Sequence, residues 1–173
     1  MLAQLLPHVP ERYGTYIEPF VGGGALFFAL QPVRAILSDS NPELVNLYRQ
    51  IASNVDAVID RLKSYRNTRD DYYEVRSQEW QRLEPFEAAA RMIYLNRTCF
   101  NGLYRVNRKG EFNVPYGRYP NPRICDEVNL RAASEVLERA EIPCGDFAEI
   151  LSSHARPGDF VFLDPPYVPV GKW

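Results

Sequence analysis

The sequence predicts an α/β fold in which a parallel sheet carries helices and is interrupted once by an inserted helical segment. Short apolar segments alternate with helical patterns near both ends of the chain, as in strand–helix–strand units. Three consecutive glycines join the first predicted strand to the first predicted helix. The middle of the chain is a long helical block without glycine. With 173 residues, the chain has room for one sizeable core and a smaller appendage.

The composition is that of an ordinary globular protein, with 46% hydrophobic and 24% charged residues. No apolar run approaches the roughly 20 residues that a membrane-spanning helix needs. The first residues, 1–7, are too few for a signal peptide and lack its basic start. We therefore expect a cytosolic protein.

The cysteines, Cys99, Cys125 and Cys144, are odd in number and widely spaced. With only two histidines in the chain, they indicate neither a disulfide framework nor a zinc site. We expect them to be small buried side chains, and we expect no bound metal.

The charge of the chain is unevenly distributed. The formal net charge is −2, yet residues 97–123 contain six basic residues and one acid, Glu111. This segment carries +5, which leaves −7 for the rest of the chain. An acidic body with one basic segment suggests that the segment binds a polyanion. The basic residues are Arg97, Arg105, Arg108, Lys109, Arg118 and Arg123.

The first strand–helix unit follows a short helix predicted over residues 2–9. Residues 15–20 form the predicted strand, 21–24 a glycine turn and 25–30 the predicted helix. Glycines let the backbone approach a ligand closely. The turn is not the dinucleotide-binding fingerprint, whose third glycine would fall at Phe27, and this disfavours a nicotinamide oxidoreductase.

The second predicted strand, residues 35–39, ends in an acid, Asp39, and a helix follows over residues 41–48. Pro42 suits the first turn of that helix. An acid at the end of the second strand is positioned to accept hydrogen bonds from both ribose hydroxyls of a nucleoside cofactor. Asp39 could equally serve only as the helix cap.

The inserted segment consists of a helical block over residues 55–97, broken at Glu84–Pro85, and a β-hairpin over residues 103–117. The polar tip of the hairpin is residues 107–110. Arginine, asparagine and aromatic residues alternate along it, a mixture suited to phosphates, base edges and base faces. The alternative is a surface hairpin with a solvated basic tip. We predict a catalytic domain from residues 1–54 and 140–173, and an inserted recognition subdomain from residues 55–139.

The last part of the chain returns to strands and helices. Its predicted elements are a helix over 129–140, a strand over 141–147 that ends in Asp146 and Phe147, a helix over 147–155 and a buried strand over 159–163. The final strand leads into Asp164-Pro165-Pro166-Tyr167 at the carboxyl edge of the sheet. The carboxylate and a proline carbonyl present two acceptors to an exocyclic amino group, and Tyr167 offers a face for a base. A base inside a duplex must be flipped out to reach such a pocket.

The motifs together resemble the Dam-type, or D12 class, adenine-N6 DNA methyltransferases. The matching segments are Glu18 to Gly24, Ser38 to Pro42, Asn96 to Asn107, Gly110 to Tyr119, Gly145 to Phe147 and Asp164 to Tyr167. They span nearly the whole chain in the expected order. The resemblance implies a Rossmann-like S-adenosylmethionine-dependent methyltransferase sheet with an inserted DNA-recognition subdomain of helices and a β-hairpin.

The resemblance also implies roles for individual residues. S-adenosyl-L-methionine is expected to be bound by Glu18, Phe20, Gly22, Gly24, Asp39, Asp146 and Phe147. Asp164 is expected to hold the target adenine amino group with the Pro165 backbone, while Tyr167 stacks on the base and Pro166 completes the motif. Double-stranded DNA is expected to be bound by Arg97, Phe100, Asn101, Leu103, Arg105, Asn107, Arg108, Lys109 and Pro115.

In close relatives the hairpin recognises the DNA sequence GATC. By position, Arg105 would contact a guanine, Leu103 and Pro115 thymine methyl groups, and Phe100 with Asn101 the space near the flipped base. Family members begin with a basic, glycine-containing segment and continue well past the catalytic motif, so we expect a chain truncated at both ends.

Two other functions compete with adenine-N6 methylation. The first is a catalytically inactive DNA-binding remnant. The second is methylation of another amino group, on cytosine N4, RNA adenine or a protein amide. Asp164 weighs weakly against the second, because Ser or Asn commonly replaces it in relatives that do such work.

Overall fold

A computed structural model of the chain describes residues 2–166. Within these residues, the chain folds into two compact units. The first, here called the sheet unit, comprises the described residues up to Val45 and from Arg139 onwards. The second, the helical unit, is Asn46–Glu138. The predicted Tyr167 lies outside the described residues.

The sheet unit contains a parallel sheet of four strands, as the sequence predicts. The strands are β1 Tyr16–Glu18, β2 Ala35–Leu37, β3 Ala140–Glu141 and β4 Phe160–Val161, in the order β3-β2-β1-β4. The helices of this unit are α1 Leu2–Leu5, α2 Ala25–Leu30, the start of α3 Pro42–Ser53 and α8 Phe147–His154. Each strand is shorter than the segment predicted for it, so the predicted strand boundaries include residues that lie outside the strands.

The strand order places a topological switch point beside β1. From β1 the chain moves to β2 on one side, and later returns to place β4 on the other side. The strand order thus reverses beside β1, and open α/β sheets bind ligands at the carboxyl ends of the strands beside such a point. The described sheet therefore has its expected ligand crevice where β1 and β4 end.

The prediction that the last strand is buried is wrong. Phe160 and Val161 are half-buried, and Leu163 is 52% exposed. Within the described residues β4 lies at an end of the sheet and pairs only with β1, so its open side is not covered by another strand. The rings of Tyr13 and Tyr16 pack against Phe160, with centroids 5.5 and 5.6 Å away.

The core of the sheet unit forms around β1. Tyr16 and Ile17 are fully buried, and Ile17 packs with Ile36 and Ile150 of α8. Phe27, which occupies the position of the absent third glycine, is 1% exposed, and its ring lies 6.4 Å from that of Tyr16. A core aromatic thus replaces the close helix–strand contact that a glycine would allow.

The helical unit contains most of α3 and four further helices, which are α4 Val55–Ser64, α5 Arg69–Ser77, α6 Pro85–Thr98 and α7 Glu127–Leu137. The predicted break at Glu84–Pro85 is confirmed, because α6 begins at Pro85. A second break between α4 and α5 was not predicted. There the Thr68 hydroxyl accepts a hydrogen bond from the N–H of Asp71 at 3.1 Å and so caps α5. The helix predicted over 129–140 begins two residues earlier and ends at Leu137.

Aromatic rings and one buried cation hold the helical unit together. Tyr72 and Tyr94 are fully buried, and the rings of Tyr65 and Tyr94 stack at 4.6 Å. Arg91 is 3% exposed and donates from Nε to the Val75 carbonyl at 3.1 Å and from Nη2 to the Arg76 carbonyl at 2.9 Å. The buried guanidinium therefore satisfies the last carbonyls of α5.

The predicted hairpin folds back on the end of α6. Its base is closed by the Gly117 N–H donating to the Thr98 carbonyl at 2.8 Å and by a bridge between Cys99 and Tyr116. A Cβ at Gly117 would lie 2.6 Å from the Cys99 carbonyl oxygen, so only glycine fits this close approach. The tip is confirmed at residues 107–110, although regular bridging in the upper hairpin is limited to Val106 and Phe112.

The expectation of buried cysteines holds for Cys99 and is wrong for Cys144, which is exposed. Cys144 follows the short strand β3 at an end of the described sheet, where only one neighbour covers it. Cys125 is half-buried, and all three thiols are free. Between residues 2 and 166, no group of three or more His, Cys, Asp or Glu side chains is arranged to hold a metal ion. No helix in that range has the length and apolar character to cross a bilayer.

Candidate functional site

The glycine turn after β1 is bound directly to the end of β2. Gly22 and Gly24 have φ values of 47° and 61°, a left-handed conformation that glycine adopts without strain. The Val21 N–H donates to the Ser38 carbonyl at 2.9 Å, and the Gly22 N–H donates to Oδ2 of Asp39 at 3.3 Å. The backbone of the turn and the Asp39 carboxylate therefore lie together at the carboxyl edge of the sheet.

Asp39 is not the cap of α3. The side chain of Asn41 accepts hydrogen bonds from the N–H groups of Glu43 at 3.0 Å and Leu44 at 3.4 Å, so Asn41 caps this helix. Asp39 instead accepts from the Asn41 N–H at 2.9 Å and from the Gly22 N–H. A carboxylate has about four acceptor positions. Asp39 therefore retains capacity for a further donor such as a hydroxyl group.

The end of β3 brings a second acid and an aromatic ring to the same edge. Asp39 and Cys144 form a parallel bridge, and the Gly145 N–H donates to the Asp39 carbonyl at 3.3 Å. Asp146 caps α8 by accepting from the Ala148 N–H at 2.8 Å. Phe147, which follows it, is 43% exposed.

Phe147 packs against the predicted Phe20, with ring centroids 5.2 Å apart. The two rings touch one another, which leaves no room for a third ring between them. A planar ligand would stack on the exposed face of Phe147 instead. Aromatic faces, carboxylate acceptors and exposed glycine backbone are the groups that a nucleoside with a free ribose requires.

Glu18 lies beneath this edge rather than on it. Its side chain is 3% exposed, and Oε2 accepts a hydrogen bond from the Tyr16 hydroxyl at 2.8 Å. Burial raises the pKa of the Glu18 carboxyl to about 7, and the Asp164 carboxylate adds to the rise, while the bond from Tyr16 opposes it. Burial, followed by Glu18, raises the pKa of the Tyr16 phenol. The sequence does not reveal this pair, although residues 16 and 18 share a strand face.

The catalytic motif follows β4, the neighbour of β1. Asp164, Pro165 and Pro166 are exposed. β4 pairs in parallel with β1 through Tyr16 with Phe160 and Ile17 with Val161, so the carboxyl ends of the two strands lie side by side. The exposed carboxylate thus stands at the predicted crevice, and the predicted role of Tyr167 lies outside the described residues.

The end of α6, the turn after it and the hairpin present most of the predicted DNA-contacting residues at the surface of the helical unit. The exposed ones are Arg97, Phe100, Asn101, Leu103, Arg105, Arg108, Lys109 and Pro115. Asn107 is half-buried and shapes the tip, because its Oδ1 accepts from the N–H groups of Lys109 at 2.9 Å and Glu111 at 3.1 Å. Asn101 has a φ of 55°, and its N–H donates to the Tyr119 hydroxyl at 2.9 Å.

The prediction missed Asn113, which is bonded to the predicted base-reading residue. Nε of Arg105 donates to Oδ1 of Asn113 at 2.7 Å. A signal for this partner exists in the sequence. A hairpin whose tip is residues 107–110 and whose arms pair 107 with 111 also pairs Arg105 with Asn113.

Comparison with known proteins agrees with these features. The family model described as D12 class N6 adenine-specific DNA methyltransferase matches residues 1–172. The type II methyltransferase M1.LlaDCHI of Lactococcus lactis is 44% identical over 181 residues, covering 98% of this chain and 63% of the relative. M.MjaIII of Methanocaldococcus jannaschii is 45% identical over 193 residues, covering 99% and 66%.

A relative named DNA adenine methylase, from Haemophilus influenzae, is 40% identical over 166 residues, covering 93% of this chain and 57% of the relative. The chain thus spans less than two thirds of the length of these curated relatives. The match to the family model nevertheless runs through every motif described above. The chain belongs to the family of D12 class N6 adenine-specific DNA methyltransferases.

Proposed function

We propose that the protein transfers a methyl group from S-adenosyl-L-methionine to the N6 amino group of an adenine flipped out of duplex DNA. One observation carries the proposal, namely that Gly22 is bonded to Asp39 and that Phe147 packs against Phe20, both at the carboxyl edge of the sheet. Family membership supports the same reaction class. Relatives named DNA adenine methylase support adenine as the target.

The residues of this edge fit the methyl donor. Asp39 has acceptor capacity for ribose hydroxyls, while the exposed Gly22 and Gly23 present backbone without side chains to the amino-acid end; Gly24 is buried. Phe147 offers one exposed ring face for the adenine of the donor. Asp146 accepts its capping bond through Oδ1, which leaves Oδ2 for an exocyclic amino group. When bound, S-adenosyl-L-methionine supplies an electrophilic methyl group on its sulfonium.

Asp164 and the carbonyl of Pro165 accept the two N–H bonds of the target amino group in this proposal. These bonds turn the nitrogen lone pair away from the ring, towards the methyl carbon. When bound, S-adenosyl-L-methionine would supply the methyl carbon to this lone pair, and its sulfur would keep the electron pair of the broken carbon–sulfur bond. The exposed Asp164 carboxylate is placed to take the proton that the methylated nitrogen releases and to pass it to solvent. Asp164 suits this role because its carboxylate is exposed beside β1.

The hairpin supplies the DNA contact in this proposal. The exposed cations Arg105, Arg108 and Lys109 of the hairpin, with Arg97 at the end of α6, suit phosphates and base edges. The exposed Leu103 of the hairpin, with Phe100 just before it, suits base faces and methyl groups. We extend the proposal to the site GATC, with Arg105 at a guanine. The inactive-remnant alternative is not favoured, because the family match covers the catalytic motif as well as the hairpin.

The test is transfer of a labelled methyl group to defined duplexes. The full-length protein is incubated with labelled S-adenosyl-L-methionine and a GATC duplex, and the digested product is analysed for N6-methyladenine. The matched control duplex carries purine in place of the target adenine, so that it lacks only the amino group. Label on the control duplex at the same rate, or label on cytosine, would contradict the proposal.

A further inference from the structure

Arg105 is tied to the opposite arm of the hairpin through a single residue, Asn113. Nε of Arg105 donates to Oδ1 of Asn113 at 2.7 Å, and Nη2 donates to the Asn113 carbonyl at 3.3 Å. The Asn113 N–H donates in return to the Arg105 carbonyl at 3.0 Å. Three hydrogen bonds therefore hold the backbone and the side chain of Arg105 to one partner.

These bonds occupy one particular edge of the guanidinium. An arginine can make paired bonds through its side edge, formed by Nε and Nη2, or through its end edge, formed by Nη1 and Nη2. Asn113 takes the side edge. Among the described residues, Nη1 of Arg105 has no hydrogen-bond partner. The end edge therefore keeps two parallel donors, which match the O6 and N7 acceptors of guanine.

The two arms of the hairpin differ in how firmly they are anchored. On the arm of Asn113, Phe112 and Val114 are 8% and 1% exposed. The Val114 carbonyl accepts from the Tyr72 hydroxyl at 2.8 Å and from Nη1 of Arg76 at 3.1 Å. The arm of Asn113 is thus fixed to the aromatic core of the helical unit.

The arm of Arg105 is the more exposed of the two. Tyr104 and Val106 are 44% and 40% exposed, Arg105 itself is exposed, and the ring of Tyr104 packs on Phe112 of the other arm with centroids 5.9 Å apart. An arginine on such an arm samples many rotamers unless a partner restrains it. Asn113 supplies that restraint from the anchored arm.

We propose that Asn113 is a positioning residue for base recognition, which holds Arg105 as a preformed end-edge fork for a guanine in DNA. The inference rests on the proposed function, in which the hairpin binds DNA. Holding the side chain before binding removes the entropic cost of ordering it in the complex. Asn113 acts through Arg105 and makes no contact of its own with the base.

The test uses Asn113→Leu, which keeps the size of the side chain and removes the acceptor. Binding of the full-length protein is measured on a GATC duplex and on the same duplex with 7-deazaguanine, which lacks the N7 acceptor. Affinity for the guanine duplex is expected to fall about 3- to 10-fold, the range of one side chain that must be ordered on binding. Affinity for the 7-deazaguanine duplex is expected to change little, so the ratio of the two affinities is expected to fall.

Two further variants separate positioning from a merely structural role. Asn113→Asp keeps an acceptor for Nε and is expected to keep the discrimination between the guanine and 7-deazaguanine duplexes. Its added negative charge is expected to weaken binding to both duplexes equally. In the Arg105→Ala background, Asn113→Leu is expected to have no additional effect on discrimination, because the residue through which it acts is gone. Thermal unfolding of each variant reports on folding separately.

Several results would overturn the inference. One is an Asn113→Leu variant that still prefers the guanine duplex to the 7-deazaguanine duplex as strongly as the wild type. Another is an equal loss of affinity for both duplexes that is also seen in the Arg105→Ala background, because Asn113 would then contact DNA directly. Unaltered discrimination in Arg105→Ala would leave Asn113 nothing to position. Failure of the proposed function is distinguishable, because wild-type protein would then transfer no methyl group to adenine in the GATC duplex.

Discussion

In the sheet unit Asp39 and Asp146 are held by backbone groups, whereas Arg105 on the hairpin of the helical unit is held mainly by another side chain. Asp39 binds the N–H groups of Gly22 and Asn41, and Asp146 binds that of Ala148. Arg105 is restrained mainly by the side chain of Asn113. The two groups of residues are therefore built into the fold to different degrees.

The difference has a consequence for mutation. Removing a side chain that satisfies backbone donors leaves those donors unpaired, so binding and stability are expected to change together in the sheet unit. An exposed hairpin cation satisfies no part of the core. Its loss is expected to change DNA binding alone. The predictions below test this contrast, beginning with the largest expected effect.

Asp164→Ala is expected to lower the rate of methyl transfer on the order of 10²- to 10³-fold, as for the loss of one preorganised hydrogen-bonding group. Asp164 is exposed, so the variant is expected to unfold like the wild type and to bind S-adenosyl-L-methionine normally. Single-turnover transfer and calorimetric cofactor titration measure the two effects. Asp164→Asn is the matched control for side-chain size. Normal turnover by the alanine variant would remove Asp164 from the mechanism.

Glu18→Gln is expected to make the protein more stable than the wild type at pH 8, by about 1–3 kcal/mol. The folded pKa is about 7 against an ordinary 4.5, so folding is favoured while Glu18 is protonated. This contribution is complete below pH 4.5, falls as the pH rises towards 7 and is lost above it. Glutamine stays neutral and can still accept from the Tyr16 hydroxyl.

The measurement for Glu18 is urea unfolding of both proteins at pH 4 and pH 8. The difference between the two proteins is the relevant quantity, because other groups titrate equally in both. The same difference at pH 4 and pH 8 would show that folding does not raise the pKa of Glu18. It would also contradict the expectation that buried side chains of the sheet unit determine its stability.

Asp39→Ala is expected to weaken binding of S-adenosyl-L-methionine by about 1.5–3 kcal/mol, the value of hydrogen bonds to a charged group. Its free energy of unfolding is expected to fall as well, because the N–H groups of Gly22 and Asn41 lose their acceptor. Calorimetric titration and urea unfolding give the two values. Reduced stability with unchanged affinity would leave Asp39 a purely structural residue.

Arg105→Ala is expected to lose about 1–3 kcal/mol of binding on the GATC duplex, with much less change on a mismatched duplex. Arg108→Ala or Lys109→Ala, at the tip, is expected to weaken binding to all duplexes alike and to reduce the salt slope by about one unit. Binding curves at several salt concentrations separate these outcomes, and none of the variants is expected to change the unfolding midpoint. Equal losses of binding free energy on the GATC and mismatched duplexes for Arg105→Ala would mean that the hairpin binds DNA only through its charge.

Local patterns in the sequence were sufficient for the order of the elements and for the positions of the motifs. The apolar run before Asp164, the glycine turn after β1 and the start of α6 at Pro85 each depend on residues close together in the chain. The hairpin tip at residues 107–110 is a further local signal. The family membership follows from the same motifs, because their residues and order are properties of the sequence itself.

Only the tertiary structure decided which groups are buried and which are paired. Gly22 is bonded to Asp39, 17 positions away, and the Tyr72 hydroxyl donates to the Val114 carbonyl, 42 positions away. The exposure of Cys144 and the half-exposure of β4 depend on how many strands lie beside them. Burial and hydrogen-bond partners are set by neighbours that are distant in the chain, and a local pattern contains no information about those neighbours.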